Sequence, residues 1–286
     1  MESESILDGI RLDSLAVEIS SPPLANSLIG EISLLDEPQP EERFAVVPAG
    51  ETATFAYDIH ADVSGEAIGF DALMIFTPST AVFREFHMGE NDLSLAPVTP
   101  EKVTSTEDVL TLEFPGNRVR SETAMRVVFD AQVLIQATSF DAEAFDTQSE
   151  ELTQPVLPSN ATDLVNTDKL QVLTSAETRR DVLSSLEIAP RVLTPNGDAV
   201  NDAAGIDFQI LQVLEEVPIR IEVFDLSGRR VRTLVDTRFG RGVYGESWDG
   251  TDSSGKVVPV GLYIIRVAVE SIVEDFSEAV AVGVAY

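Results

Sequence analysis

The chain has 286 residues, 44% of them hydrophobic, and a formal net charge of −30, which suits one or two domains with real cores and argues against nucleic acid or an anionic membrane surface as partner. It has no cysteine, which excludes disulfides, thiolate metal sites and cysteine nucleophiles. No apolar run approaches the ~18 residues of a membrane helix, so no membrane insertion is expected, and "MESESILDGIRLDSLAVEIS" (1–20) lacks the basic-then-apolar order of a secretory signal.

In chain order, strand-like segments dominate. "TATFAYDIHADV" (52–63) alternates, with Phe55, Tyr57 and Ile59 on one face. "FDALMIF" (70–76), "DVLTLEF" (108–114) and "MRVVFDAQVLIQA" (125–137) follow, rich in β-branched and aromatic residues. Breaks bearing Pro or Gly separate them, at 48–51, 77–80, 96–101 and 114–117, and short strands at such spacing predict a β-sandwich. Residues 146–168 read as a long edge loop or linker, and "LQVLT" (170–174) as the last strand of this first unit. "SAETRRDVLSSLE" (175–187) is the best helix, with Ser175 as its cap and Val182, Leu183 and Leu186 as its apolar stripe. Beyond it, "IRIEVFDLSGRRVRTLV" (219–235) reads as a hairpin, 244–270 as a short strand, two turns and a long strand, and "DFSEAVAVGVAY" (275–286) as a closing strand. The fold class expected is therefore all-β. It comprises two tandem immunoglobulin-like sandwiches, with an acidic domain at 1–175, a linker or short helix at 176–187 and a second sandwich at 188–286.

The charge is uneven. Residues 1–160 hold 7 basic and 29 acidic side chains, and residues 161–286 hold 12 and 20. Only Lys102, Lys169 and Lys256 among the 19 basic residues are lysines. An acidic, lysine-poor surface fits a protein facing high salt, because screening removes the self-repulsion; it fits an acidic extracellular protein with Arg-rich codon usage equally.

"TPNGDAVND" (194–202), "VFDLSGRRVRTL" (223–234) and "WDGTDSSGKVVPVGLYIIRV" (248–267) occur in that order in the last third. Together they resemble the immunoglobulin-like domain of the flagellar hook-capping protein FlgD, a domain type that also ends many secreted bacterial surface proteins, including gliding and type IX secretion cargo. The resemblance covers about 188–286 and implies the domain type. Ala199 stands where the family usually has Gly, and residues 1–187 carry nothing like a hook-binding region.

Within these motifs, Trp248 is the only tryptophan; ahead of a tight turn it is expected over the sandwich core, the alternative being an exposed sugar-stacking platform. Asp249-Gly250 and Ser254-Gly255 are turn signals, and Asp225 is expected to accept turn N–H groups. Arg229, Arg230 and Arg232 form either a solvated strand face or a site for an acidic partner such as the first domain. Asn196, Asp198, Asn201 and Asp202 offer hard oxygen ligands suited to Ca²⁺, although the spacing is not that of an EF-hand. Alternatively those side chains satisfy the loop's own backbone N–H groups.

No catalytic motif accompanies them. His60 and His87, the only histidines, lie in strand-like segments with no neighbouring Ser or Asp motif, and neither GxSxG, HExxH, a P-loop nor GxGxxG occurs. The expectation is a non-enzymatic extracellular or cell-surface structural or adhesion protein of bacterial type. Its partners are other surface proteins or copies of itself joined by β-strand addition into a filament or layer. The rival readings are a hook-cap-type assembly scaffold and a carbohydrate-binding module.

Overall fold

The structure, a computed structural model, describes residues 22–176, 182–270 and 275–285. Strands β1 (Ser27–Leu34), β2 (Ala45–Val47), β3 (Thr52–Asp62), β4 (Ala72–Phe76), β5 (Val82–Gly89), β6 (Ala96–Pro97) and β7 (Lys102–Ser105) open the chain. They are followed by β8 (Val109–Glu113), β9 (Thr123–Gln132), β10 (Ala137–Ser139), β11 (Ala142–Asp146), β12 (Ser149–Pro155), β13 (Leu157–Pro158) and β14 (Gln171–Thr174). After residue 182 come β15 (Leu183–Ala189), β16 (Val192–Leu193), β17 (Ala204–Ile210), β18 (Val217–Asp225), β19 (Arg230–Phe239), β20 (Gly242–Trp248), β21 (Gly261–Glu270) and β22 (Asp275–Val284). The described helical structure amounts to two 3-10 turns, at Asp92–Ser94 and Pro115–Asn117. The chain is all-β.

No sheet mixes strands from before and after residue 182. The first part has a six-stranded sheet in the order β13-β1-β3-β9-β5-β6, a five-stranded sheet in the order β12-β11-β4-β8-β7, and a small β10-β14-β2 sheet. The period-2 alternation read in 52–63 aims Phe55, Tyr57 and Ile59 inward, where they meet Val127 and Phe129 of β9 and Leu73 and Ile75 of β4 in one core. Phe55, Phe129 and Phe140 pack ring against ring, with Phe55 5.1 Å from Phe140. The second part has sheets β15-β17-β20 and β16-β22-β21-β18-β19, closed over Ile206, Phe208, Ile219, Ile221, Trp248 and Ile265.

Two expectations are corrected. Residues 183–187 are not helical: β15 pairs with β17, Leu183 opposite Ile210 and Ile188 opposite Ile206, with a bulge between Ser184 and Glu187. The bulge, with Ser185 at φ 54°, brings Leu183, Leu186 and Ile188 to the core at a spacing that imitates a helical stripe. The rest of that expected helix, 177–181, lies outside the described residues. Residues 146–168 are not all loop, because β12 extends the five-stranded sheet against β11 and β13 pairs in parallel with β1. Both are edge strands whose described side chains are exposed or half-buried, so their polar sequence carries little alternation.

The two parts meet at a small junction. Ala49, Leu134 and Leu211 form their own buried cluster, and the Gln212 N–H donates to the Leu134 carbonyl at 2.7 Å. Gly50, at φ 77°, lies so close that a Cβ there would sit 2.3 Å from Gln209 Oε1. β17, β19 and β21 each have one end here, with their connecting turns at 211–216 and 240–241. The 194–202, 226–229 and 249–260 segments therefore all project from the far end of the second sandwich, hereafter the tip.

Candidate functional site

At the tip the three motifs come together. Pro195 packs on Gly250, where an added Cβ would meet Pro195 Cγ at 3.1 Å. The Arg232 guanidinium donates to Asp249 Oδ1 at 2.8 Å and also to the Thr251 hydroxyl. Ser253 donates from its backbone N–H and its hydroxyl to the Val231 carbonyl, at 3.1 and 3.0 Å.

The opening loop is organised by Asp202. Its Oδ1 accepts the N–H groups of Asn196 (2.9 Å) and Gly197 (2.8 Å), and Oδ2 accepts that of Ala199 (2.7 Å). The Gly197 N–H leads in holding the Asp202 carboxyl below its ordinary pKa. Asp198 Oδ1 accepts the Val200 N–H at 2.8 Å, Asn196 Oδ1 accepts the Asp198 N–H at 2.9 Å, and the Asn196 amide donates to Asp198 Oδ2 at 3.2 Å. Asn201 instead contributes its backbone: its carbonyl accepts the Thr194 N–H at 2.9 Å, with φ at 56°. Of the four candidate ligands, three side chains thus lie in one hydrogen-bonded loop, with their oxygens turned to N–H donors. Ala199 takes φ 65°, the left-handed region in which the family's usual Gly is at ease.

The other two motifs share one device. In Asp225-Leu226-Ser227-Gly228-Arg229, Asp225 Oδ1 accepts the Ser227 N–H (2.9 Å), the Ser227 hydroxyl (2.5 Å) and the Arg229 N–H (3.1 Å). In Asp252-Ser253-Ser254-Gly255-Lys256, Asp252 Oδ1 accepts the Ser254 N–H (2.8 Å), the Ser254 hydroxyl (2.6 Å) and the Lys256 N–H (3.1 Å). Gly228 and Gly255 close the turns at φ 81° and 78°, which only Gly adopts without cost. The Ser227 hydroxyl is the main reason that the Asp225 carboxyl is held at about 2; the Ser254 hydroxyl lowers Asp252 in the same way. The shared D-x-S-G-[RK] pattern was visible in the sequence and marks both turns. Asp225 does what its sequence position led one to expect.

Trp248 is fully buried, edge-on to Tyr263 at 5.4 Å, and its Nε1 donates to the Thr251 carbonyl at 3.0 Å. It is part of the core and offers no sugar platform. The arginines pair within their own sandwich: Arg229 with Asp225, Arg230 with Glu222 at 2.9 Å and Arg232 with Asp249.

The first sandwich holds groups that sequence reasoning missed. Glu31 is fully buried on β1. Its carboxylate accepts the N–H groups of Ala161 (2.9 Å), Thr162 (3.2 Å) and Asp168 (2.9 Å), pinning the 159–169 segment across the sheet. Across the strand pair stands Asp58, bidentate with Arg126 at 2.7 and 3.1 Å; burial pushes its carboxyl up to about 6 against the pull of Arg126. No periodicity signals such carboxylates, because they occupy strand positions that read as solvent-facing. His60 and His87 each approach only a carboxylate, Glu122 at 3.3 Å and Glu85 at 3.6 Å. At the junction, a cavity of about 550 Å³ is lined by Glu107, Asp108, Glu215, Glu216, Arg241 and Tyr244, among others. Among the described residues no group of three or more His, Cys, Asp or Glu is arranged to hold a metal ion, and no helix is long and apolar enough to cross a membrane.

Residues 197–271 match the family model of the FlgD Ig-like domain, and no family model covers the N-terminal part. No curated protein matches. Among solved structures, dimeric latent PorU from Porphyromonas gingivalis is 14% identical over 84% of this chain and 18% of that one, with a TM-score of 0.31. Domains D2 and D3 of the major pilin SpaD from Corynebacterium diphtheriae are 13% identical over 77% and 78%, with a TM-score of 0.28. The 35 kDa C-terminal fragment of the major pilin GBS80 of Streptococcus agalactiae is 6% identical over 90% of each chain, with a TM-score of 0.32. The chain spans only 18% of PorU and 53% of a biofilm-associated protein's BSP domain.

Proposed function

We propose that this protein is a non-enzymatic extracellular or cell-surface structural or adhesion protein of two tandem sandwich domains, meeting other surface proteins or copies of itself through its sheets. The division is that expected from the sequence, near 1–175 and 188–286. The observation that carries the reading is the tip. Its acidic side chains are spent on backbone N–H groups, which builds rigid turns and leaves no general acid, base or nucleophile aimed at a shared point. Around those turns stand exposed aliphatic side chains, including Val200, Leu226, Val260 and Leu262, which suit a protein partner. Fractionation of the source cells with antibody labelling of intact cells tests the location: labelling of the surface is expected, and a protein found wholly in the cytoplasm overturns the reading.

On the same view the 194–202 loop serves as a self-satisfied cap, and Ca²⁺ is not required for it. Titrating the full chain with Ca²⁺ in a calorimeter should give no heat and leave the melting temperature unchanged. A saturable heat lost in Asp198→Ala would instead establish a calcium site at Asn196, Asp198, Asn201 and Asp202. The hook-cap scaffold reading draws on the domain match alone. The carbohydrate reading loses its platform with the burial of Trp248.

A further inference from the structure

We propose that copies of this chain join side by side, the outer edge of β22 in one copy adding to the outer edge of β19 in the next. This rests on the structural-protein reading above and names its partner as a second copy. The six-stranded sheet of the first sandwich ends in two-residue strands on both sides, β13 and β6, a common way of blunting an edge. Among the described residues, the sheet of the second sandwich is bonded on its β22 side by two-residue β16, at Gly283 and Val284, and no described strand pairs with the outer edge from Asp275 to Val282.

The hydrogen-bonding direction of that edge follows from parity. The Gly283 and Ala285 N–H groups point outward, donating to Arg191 and Leu193 at 2.9 and 2.8 Å. Alternation therefore aims the N–H groups of Asp275, Ser277, Ala279 and Ala281 outward too. At the opposite edge, the pairing of β21 with β18 and of β18 with β19 turns the backbone of Asp236 and Arg238 outward by the same parity. The strands are of equal length, 10 residues each. β22 runs toward the tip and β19 away from it, so two copies standing in the same orientation bring them together antiparallel. Charge favours this pairing over like with like: described β22 carries Asp275 and Glu278 with no base, so two β22 edges repel, whereas the outer edge of β19 offers Arg238 beside Asp236, Arg230 and Arg232 being already paired with Glu222 and Asp249. Matching Asp275 to Arg238 sets Ser277 opposite Asp236, and all four side chains then lie on the outer face. Because each contact uses two different edges, it is heterologous and propagates instead of closing at a dimer.

Each copy carries a net charge of −30, so neighbours repel and assembly strengthens with salt, as the Debye length falls from ~10 Å at 0.1 M to ~3 Å at 1 M. The native chain has no cysteine, so single engineered cysteines give a clean readout. In 0.5 M NaCl, enough to weaken the repulsion between whole copies but not the direct contact of Asp275 with Arg238, and under mild oxidant, a mixture of Ser277→Cys and Asp236→Cys chains of all 286 residues should form the mixed disulfide at least ten times faster than either forms its own dimer. Sedimentation should show oligomers growing with salt. Ala279→Pro, which removes an outward N–H and leaves the β21 ladder intact, should stay monomeric with its melting temperature within about 2 °C of the parent. Oligomers that persist in Ala279→Pro, or disulfides with no preference for the mixed pair, overturn the edge pairing and leave the surface-protein reading standing. A parent chain that is monomeric at every salt concentration overturns the pairing as well. The cell-labelling experiment independently decides the broader reading.

Discussion

Ala199 sits at φ 65° in an exposed turn, with its N–H held by Asp202. A side chain in this region is strained relative to Gly, so Ala199→Gly should raise stability by about 0.5–1 kcal/mol and Ala199→Val should lower it; urea unfolding of the parent and both variants checks the order. Acid titration separates two kinds of carboxyl. Asp58 in the first sandwich is raised to about 6 by burial, so between about pH 4 and 6 the folded chain holds a proton that the unfolded chain releases. Its contribution to stability therefore falls as pH rises through that window and is flat above it. Asp225 in the second sandwich is depressed to about 2, and its contribution is present above the ordinary carboxylate range and lost as pH falls from about 4 to 2. Asp130 and Asp146, lowered chiefly by Arg84 and Arg118, act in the same direction as Asp225. Scanning calorimetry should find the first sandwich melting higher at pH 5 than at pH 7, the second unchanged over that interval, and both falling below pH 4.

β15 shows what an element adds to its residues. Ile188 is 2% exposed and lies opposite Ile206, so Ile188→Ala should cost about 2–4 kcal/mol; a loss below ~0.5 kcal/mol in chemical unfolding would mean that β15 is not seated. The sequence showed the strands in which apolar residues recur at every second position, such as β3 with Phe55, Tyr57 and Ile59, β8, β18 and β21, because successive side chains of a strand point to opposite faces. It hid β15, where a bulge disguised the period, and β12, where an edge position relaxed it. β1 was also illegible: it is buried on both faces, with Glu31 and Ser33 at 0% exposure behind Leu28 and Ile32. The tip motifs were legible, since Asp, Ser and Gly at fixed offsets specify turns locally. The clasp from Arg232 to Asp249 was not, because it depends on two turns meeting in space.

At the scale of the whole molecule, the junction of Ala49, Leu134 and Leu211 is small and Gly50 is its tightest point. Gly50→Val adds a branched side chain at φ 77° against Gln209 and Leu211 and should cost about 1–3 kcal/mol. It should also increase the radius of gyration in small-angle scattering as the two halves part; an unchanged radius would show that the junction tolerates the bulk. The second sandwich is entered near Val182, beside this junction, and left at Ala285, at the tip. Its edge strand β16 runs parallel to β22, joined by the bonds from Gly283 and Ala285 to Arg191 and Leu193. Tension between those two points pulls β16 and β22 lengthwise past each other. The load then falls on both bonds together, in shear, and they do not peel one after the other, so in a protein fixed at one end and dragged at the other this corner resists extension first.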